Sequence, residues 1–127
     1  MMFVRDHESS GGVATLEESA SARDQGKRAP ANWTVLAYLA GDNNLEGSLL
    51  GDLREMERVG SRAGSVEILA QIDRAPGYDS SAGDWTGSRC YYVTRSAGRD
   101  RVGSKLLADL GETNTGDPRV LKDFLAF

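Results

Sequence analysis

Seven of the eight residues in Trp33-Thr-Val-Leu-Ala-Tyr-Leu-Ala40 are apolar, and the run ends abruptly in Gly41-Asp42-Asn43-Asn44. A strand that is apolar on both faces belongs inside a sheet covered from both sides, the arrangement of α/β domains. In open sheets of that class, ligands bind in the crevice beyond the carboxyl ends of the strands. A strand that delivers Asp42, Asn43 and Asn44 to that edge makes these three the candidate binding residues.

From Leu45 the spacing becomes helical. Leu45, Leu49, Leu53 and Met56 recur on one face, with Glu46, Asp52, Arg54, Glu55 and Arg58 on others. Asn43 or Asn44 can cap the start, and Gly60 can close the end in the left-handed conformation. A second run rich in β-branched residues, Val66-Glu-Ile-Leu-Ala-Gln-Ile-Asp73, predicts another strand. Strand, helix and strand within about forty residues predict a βαβ unit with parallel strands. Asp73 and Arg74 then lie at the same edge as Asp42.

Pro76-Gly77 and Ser80-Ser-Ala-Gly83 mark a loop in which Asp79 and Asp84 read as solvated and Trp85 as a packing anchor. Arg89-Cys-Tyr-Tyr-Val-Thr94 predicts a strand, and Val102 to Leu110 its hairpin partner, although Leu106 to Leu110 also fits a helical turn. Asp117 and Pro118 predict the cap and first residue of a last helix, with Val120, Leu121, Phe124 and Leu125 as its apolar face. That helix lacks a closing signal before Phe127, and the α/β alternation demands a further strand.

The 127 residues suffice for one domain. Fifteen basic against nineteen acidic side chains give a formal charge of −4, and no basic stripe interleaves with aromatics, so nucleic-acid binding is not expected. No run approaches the roughly 20 apolar residues of a membrane span. The first residues lack the apolar core of a secretory signal. A cytoplasmic location with no membrane partner is therefore expected. A single cysteine, Cys90, excludes an intrachain disulfide. Residues 1–31 carry Ser9-Ser-Gly-Gly12, mixed charges and few large apolar side chains, and are expected to form a disordered leader. His7, within it, reads as a solvated tail residue.

Three stretches, Trp33 to Glu46, Gly83-Asp-Trp-Thr-Gly-Ser-Arg89 running into Tyr91-Tyr-Val93, and Ala108 to Pro118, resemble the clostripain family of cysteine peptidases, relatives of caspases and gingipains. Glu57-Arg-Val-Gly60 and Gln71-Ile-Asp-Arg74 are similar too. The resemblance covers about residues 33 to 127. It implies an incomplete caspase-like α/β sandwich, with a mainly parallel sheet and a β-hairpin insertion, over residues 32–127. It implies cleavage of peptides and proteins after Arg or Lys, by a cysteine thiolate with a histidine managing the proton transfers. The family's His-Gly and Asp-Ala-Cys motifs would follow Phe127, so the chain is expected to be a truncated, inactive N-terminal portion with no catalytic residue. His7 and Cys90 are not expected to replace them. Calcium serves some intact relatives, and no cofactor is expected in this chain.

By the same resemblance, the turn after the first strand flanks the substrate cleft, where Asp42 could hold a cationic side chain. The residues themselves leave a plainer role open, with Asn43 and Asn44 as helix caps and Asp42 satisfying the turn. They also leave a second function open, a non-catalytic α/β binding module with Asp42 and Asp73 holding a divalent metal. Without the neighbour that carries the family's histidine, Thr34 to Leu39 would present an apolar sheet edge prone to self-association.

Overall fold

The computed structural model describes residues 1–6 and 30–127. Its elements are β1 (Met2–Asp6), β2 (Trp33–Gly41), α1 (Glu46–Val59), β3 (Val66–Arg74), β4 (Gly87–Tyr92), β5 (Lys105–Gly111) and α2 (Pro118–Ala126). The strands form one sheet in the order β1-β2-β3-β4-β5. The βαβ unit is present, with β2 and β3 parallel from Trp33↔Val66 to Gly41↔Arg74. The other neighbouring pairs are antiparallel. The α/β class therefore stands, while the sheet is mostly antiparallel rather than mainly parallel. The described connections fit this, because the crossover helix joins β2 to β3, whereas loops carry the chain back from β3 to β4 and from β4 to β5, and strands joined that way pair antiparallel. The expected hairpin is β4–β5, and Leu106 to Leu110 is strand.

The expected disordered leader needs correction at its start. Met2 to Asp6 pair antiparallel with β2, from Met2↔Ala37 to Asp6↔Trp33. The composition of residues 1–31 as a whole hides the short apolar run Met1-Met-Phe-Val4, and Phe3 packs on the core beside Leu36 and Tyr38. β1 thus covers much of the β2 edge that was expected to be open. His7 and the rest of the expected leader up to Ala29 lie outside the described residues.

The sheet separates two cores by the alternation of its side chains. On one face Ala37, Leu39, Ala70, Ile72, Tyr91 and Val93 meet Leu50 and Leu53 of α1. On the other, Leu36, Tyr38 and Cys90 meet Phe124 of α2. The rings of Tyr38 and Phe124 lie 6.0 Å apart. Asp117 and Pro118 start α2 as the sequence predicts, with the Asp117 carboxylate accepting from Arg119 N–H at 2.9 Å.

α1 turns Leu49, Leu53 and Met56 of its expected face to the core, but its fully buried stripe is shifted from that face. Its buried residues are Glu46, Leu50, Leu53 and Glu57, while Leu45 is 56% exposed. The spacing of four, three and four residues is one helical stripe, with an acid at each end. Glu57 accepts hydrogen bonds from Ser104 N–H and Oγ–H, each at 2.7 Å, and so ties the hairpin loop to the end of α1. Gly60 follows with φ +70° and ψ 171°, an extended positive-φ closure rather than the left-handed helical one expected.

Gly41 sets how closely β2 and β3 end. A Cβ there would stand 2.6 Å from the Asp73 carbonyl oxygen and 3.2 Å from Leu49 Cδ1. Gly41→Ala should lower stability by about 1–3 kcal/mol, the usual cost of overpacking. Gly51, on α1 with nothing within 4 Å of an added Cβ, gives the contrast. Gly51→Ala should stabilise by about 1 kcal/mol through helix propensity. Urea unfolding of the two variants should show opposite signs.

Candidate functional site

Beyond Gly41 the chain turns sharply. Asn43 N–H donates to Gly41 O at 2.7 Å. The Asn43 side chain donates through Nδ2 to Ala40 O at 3.1 Å and accepts through Oδ1 from Leu45 N–H at 2.8 Å. Asn43 is thereby committed to shaping the turn. The helix cap position falls on Leu45, which makes no side-chain cap, so neither Asn43 nor Asn44 caps α1 as expected. Asp42 and Asn44 are exposed. The turn keeps the three candidate residues together and leaves Asp42 and Asn44 facing solvent.

On the α1 face, the edge is built on buried charge. Arg74, the last residue of β3, places Nε 2.7 Å from Glu46 Oε1, and both side chains are 0% exposed. Its Nη2 donates to Asp79 O and so holds the loop of residues 75–86 down. The Trp85 ring contacts two guanidiniums, with its centre 4.9 Å from Arg74 Cζ and 4.5 Å from Arg89 Cζ. Cation–π attraction and packing make it an anchor, as its sequence context predicts. Asp79 is half-buried and structural, unlike the solvated residue expected. Its carboxylate accepts from Ser81 N–H at 2.7 Å, and bonding to Ser81 pulls its pKa down. Asp84 is exposed.

On the α2 face, hydroxyls fasten the loop between β5 and α2 across the same edge. Tyr38 Oη–H donates to Thr115 O at 3.1 Å, Thr115 Oγ1–H to Asp73 Oδ2 at 3.2 Å, and Ser88 Oγ meets Thr113 Oγ1 at 2.6 Å. Asp73 is 1% exposed. Burial pushes its pKa up, hydroxyl bonding from Ser88 and Thr115 opposes the rise, and the charges of Asp42 and Glu112 add to it. The Asp42 charge is thus felt at Asp73 across the edge. Among the described residues, no group of three His, Cys, Asp or Glu side chains is placed to hold a metal ion.

Cys90 sits in β4 beneath α2, 2% exposed, with Sγ 3.7 Å from Gln71 Oε1. Burial pushes its thiol up to about 11. A thiol in that state is almost wholly protonated at neutral pH and is a poor nucleophile. The sequence reading missed Glu46, Glu57 and Ser104 as structural polar residues. The available signal was the acid-Leu-Leu-acid spacing of the α1 stripe.

No protein-family model matches the chain. The chain is 32% identical to clostripain from Hathewaya histolytica over 103 residues, which cover 74% of this chain and 20% of clostripain. This similarity supports a clostripain-like relationship. The chain spans about a fifth of the length of the curated relative it matches. Among the described residues, no helix is long and apolar enough to cross a membrane.

Asp73 makes stability depend on pH. Its folded pKa lies above its unfolded value, so the folded state holds the proton more tightly. The resulting stabilisation is full below the unfolded value, near pH 4, and is lost as pH rises through the folded one. Asp73→Asn keeps an acceptor for Thr115 and removes the charge. The variant should be more stable than the parent at pH 7, and the gap should close in acid. Urea unfolding at pH 7 and pH 3 checks this, and a parent whose advantage grows with pH contradicts it.

Proposed function

We propose that the clostripain-like relationship extends to fold and chemistry. Residues 32–127 contribute the N-terminal portion of a caspase-like cysteine endopeptidase that cleaves after Arg or Lys, and this chain alone does not catalyse. The similarity to clostripain supports the first half. Cys90 supports the second, because the one cysteine of the sequence is buried with its thiol held near 11. A nucleophile of this class needs a lowered pKa and a histidine within hydrogen-bond reach. The catalytic pair is therefore assigned to family motifs beyond Phe127.

In this reading Asp42 and Asn44 line one wall of the substrate cleft, and Asn43 shapes it. An exposed carboxylate at the carboxyl edge of a parallel pair suits a guanidinium or ammonium side chain through a charge-assisted hydrogen bond. The buried Glu46–Arg74 pair fixes the base of that wall.

Purified chain should not cleave an arginyl peptide, with or without Ca²⁺, and Cys90→Ser should change nothing. Turnover abolished by Cys90→Ser would overturn the assignment. In the same samples, an arginyl peptide amide should shift the backbone amide signals of Gly41 to Asn44 in NMR spectra, and Asp42→Asn should weaken that response. Signals that stay still would remove Asp42 from the cleft.

A further inference from the structure

Two loops leave the carboxyl end of the parallel pair, whose last register partners are Gly41 and Arg74. Their bases stand one strand spacing apart, about 4.8 Å. The first loop is the turn of Asp42 to Asn44. The second is the loop of residues 75–86, whose tip Pro76-Gly77-Tyr78 is exposed, with Gly77 at φ +85°. Tyr78 itself is 61% exposed.

The second loop is braced against the first turn of α1, which follows the first loop. Asp79 Oδ2 lies 3.1 Å from where a Cβ on Gly47 would stand. Arg74 Nη2 donates to Asp79 O, Asp79 Oδ1 accepts from Ser81 N–H, and Arg54 Nη2 donates to Ser81 Oγ at 3.0 Å. The backbone beside Tyr78 is thus tied down while its ring is left in solvent. Among the described residues, the Tyr78 side chain makes no hydrogen bond or ring contact, and Asp42 makes no ion pair. Trp85, in the same loop, differs in meeting the guanidiniums of Arg74 and Arg89 from within the fold. A free ring and a free carboxylate on adjacent loops are the two halves of a guanidinium site. The carboxylate takes the charge and the N–H fork, and the ring face takes the plane.

We propose that Tyr78 selects arginine over lysine in the peptide cleft, by stacking on the guanidinium whose charge Asp42 meets. This rests on Asp42 lining the substrate cleft. A planar, weakly hydrated guanidinium gains from stacking on an aromatic face, and a compact, strongly hydrated ammonium gains less. Tyrosine suits the position because its ring is apolar while its hydroxyl stays in water.

The test is a titration of chain carrying ¹³C-labelled tyrosine rings with two peptide amides that differ in one residue, arginine or lysine. The arginyl peptide should shift the Tyr78 ring signals together with the amides of Gly41 to Asn44. It should bind about two- to fivefold more tightly than the lysyl peptide, the range of an exposed cation–π contact. Tyr78→Leu should bind both peptides equally, and Tyr78→Phe should keep the preference. Amide shifts at Gly41 to Asn44 with a still Tyr78 ring overturn the role of Tyr78 and leave Asp42 in the cleft. So does an arginine preference that survives Tyr78→Leu. No shift at either place overturns both assignments.

Discussion

The edge that carries the candidate site rests on one buried ion pair. Glu46 in the first turn of α1 and Arg74 at the end of β3 are both sealed from solvent, 2.7 Å apart. Among the described residues, one polar atom of each, Glu46 Oε2 and Arg74 Nη1, has no hydrogen-bond partner. A buried pair of this kind gains little over an apolar pair of the same volume, yet losing one partner strands the other charge at high cost. Its value here is positional. It joins the crossover helix to the strand end, and through Arg74 it brings in the loop of residues 75–86 and the ring of Trp85. Gly41 makes the same junction close from the backbone side.

Much of this was legible in the sequence. The two apolar runs, with a helical stretch between them, suffice for a parallel βαβ unit, because few other arrangements bury strands on both faces. Asp117-Pro118 marks its helix by local chemistry alone. The antiparallel character of the rest was less legible, since strand direction depends on long-range pairing. β1 in particular is set by five residues lying on β2 across a long stretch of sequence. The α1 face was only partly legible, because the leucines at positions 45, 49 and 53 compete with the one at position 50, and Leu45 alone falls outside the core. Burial of Glu46 and Glu57 decides between them, and their partners, Arg74 and Ser104, come from distant elements.

The candidate site shows the same division. That Asp42, Asn43 and Asn44 gather at the carboxyl edge follows from where the apolar run stops. Their separate roles do not, because only the hydrogen bonds of Asn43 distinguish the residue that builds the turn from those left facing solvent. Asp73 is held by the hydroxyls of Ser88, on the neighbouring strand, and of Thr115, in the loop before α2, contacts that periodicity within a short window does not report. Similarity to clostripain gives these placements a chemical context, while the geometry supplies the physical reason that Cys90 is structural.

Buried charge, rather than apolar packing alone, organises this edge. A double-mutant cycle on Glu46 and Arg74, followed by urea unfolding and hydrogen exchange of the 75–86 loop amides, tests it most directly. Glu46→Gln and Arg74→Met should each cost about 3–5 kcal/mol and speed exchange in that loop. The double variant should cost well below their sum. Single losses under about 1 kcal/mol, the range of exposed pairs, with loop exchange unchanged, would contradict it.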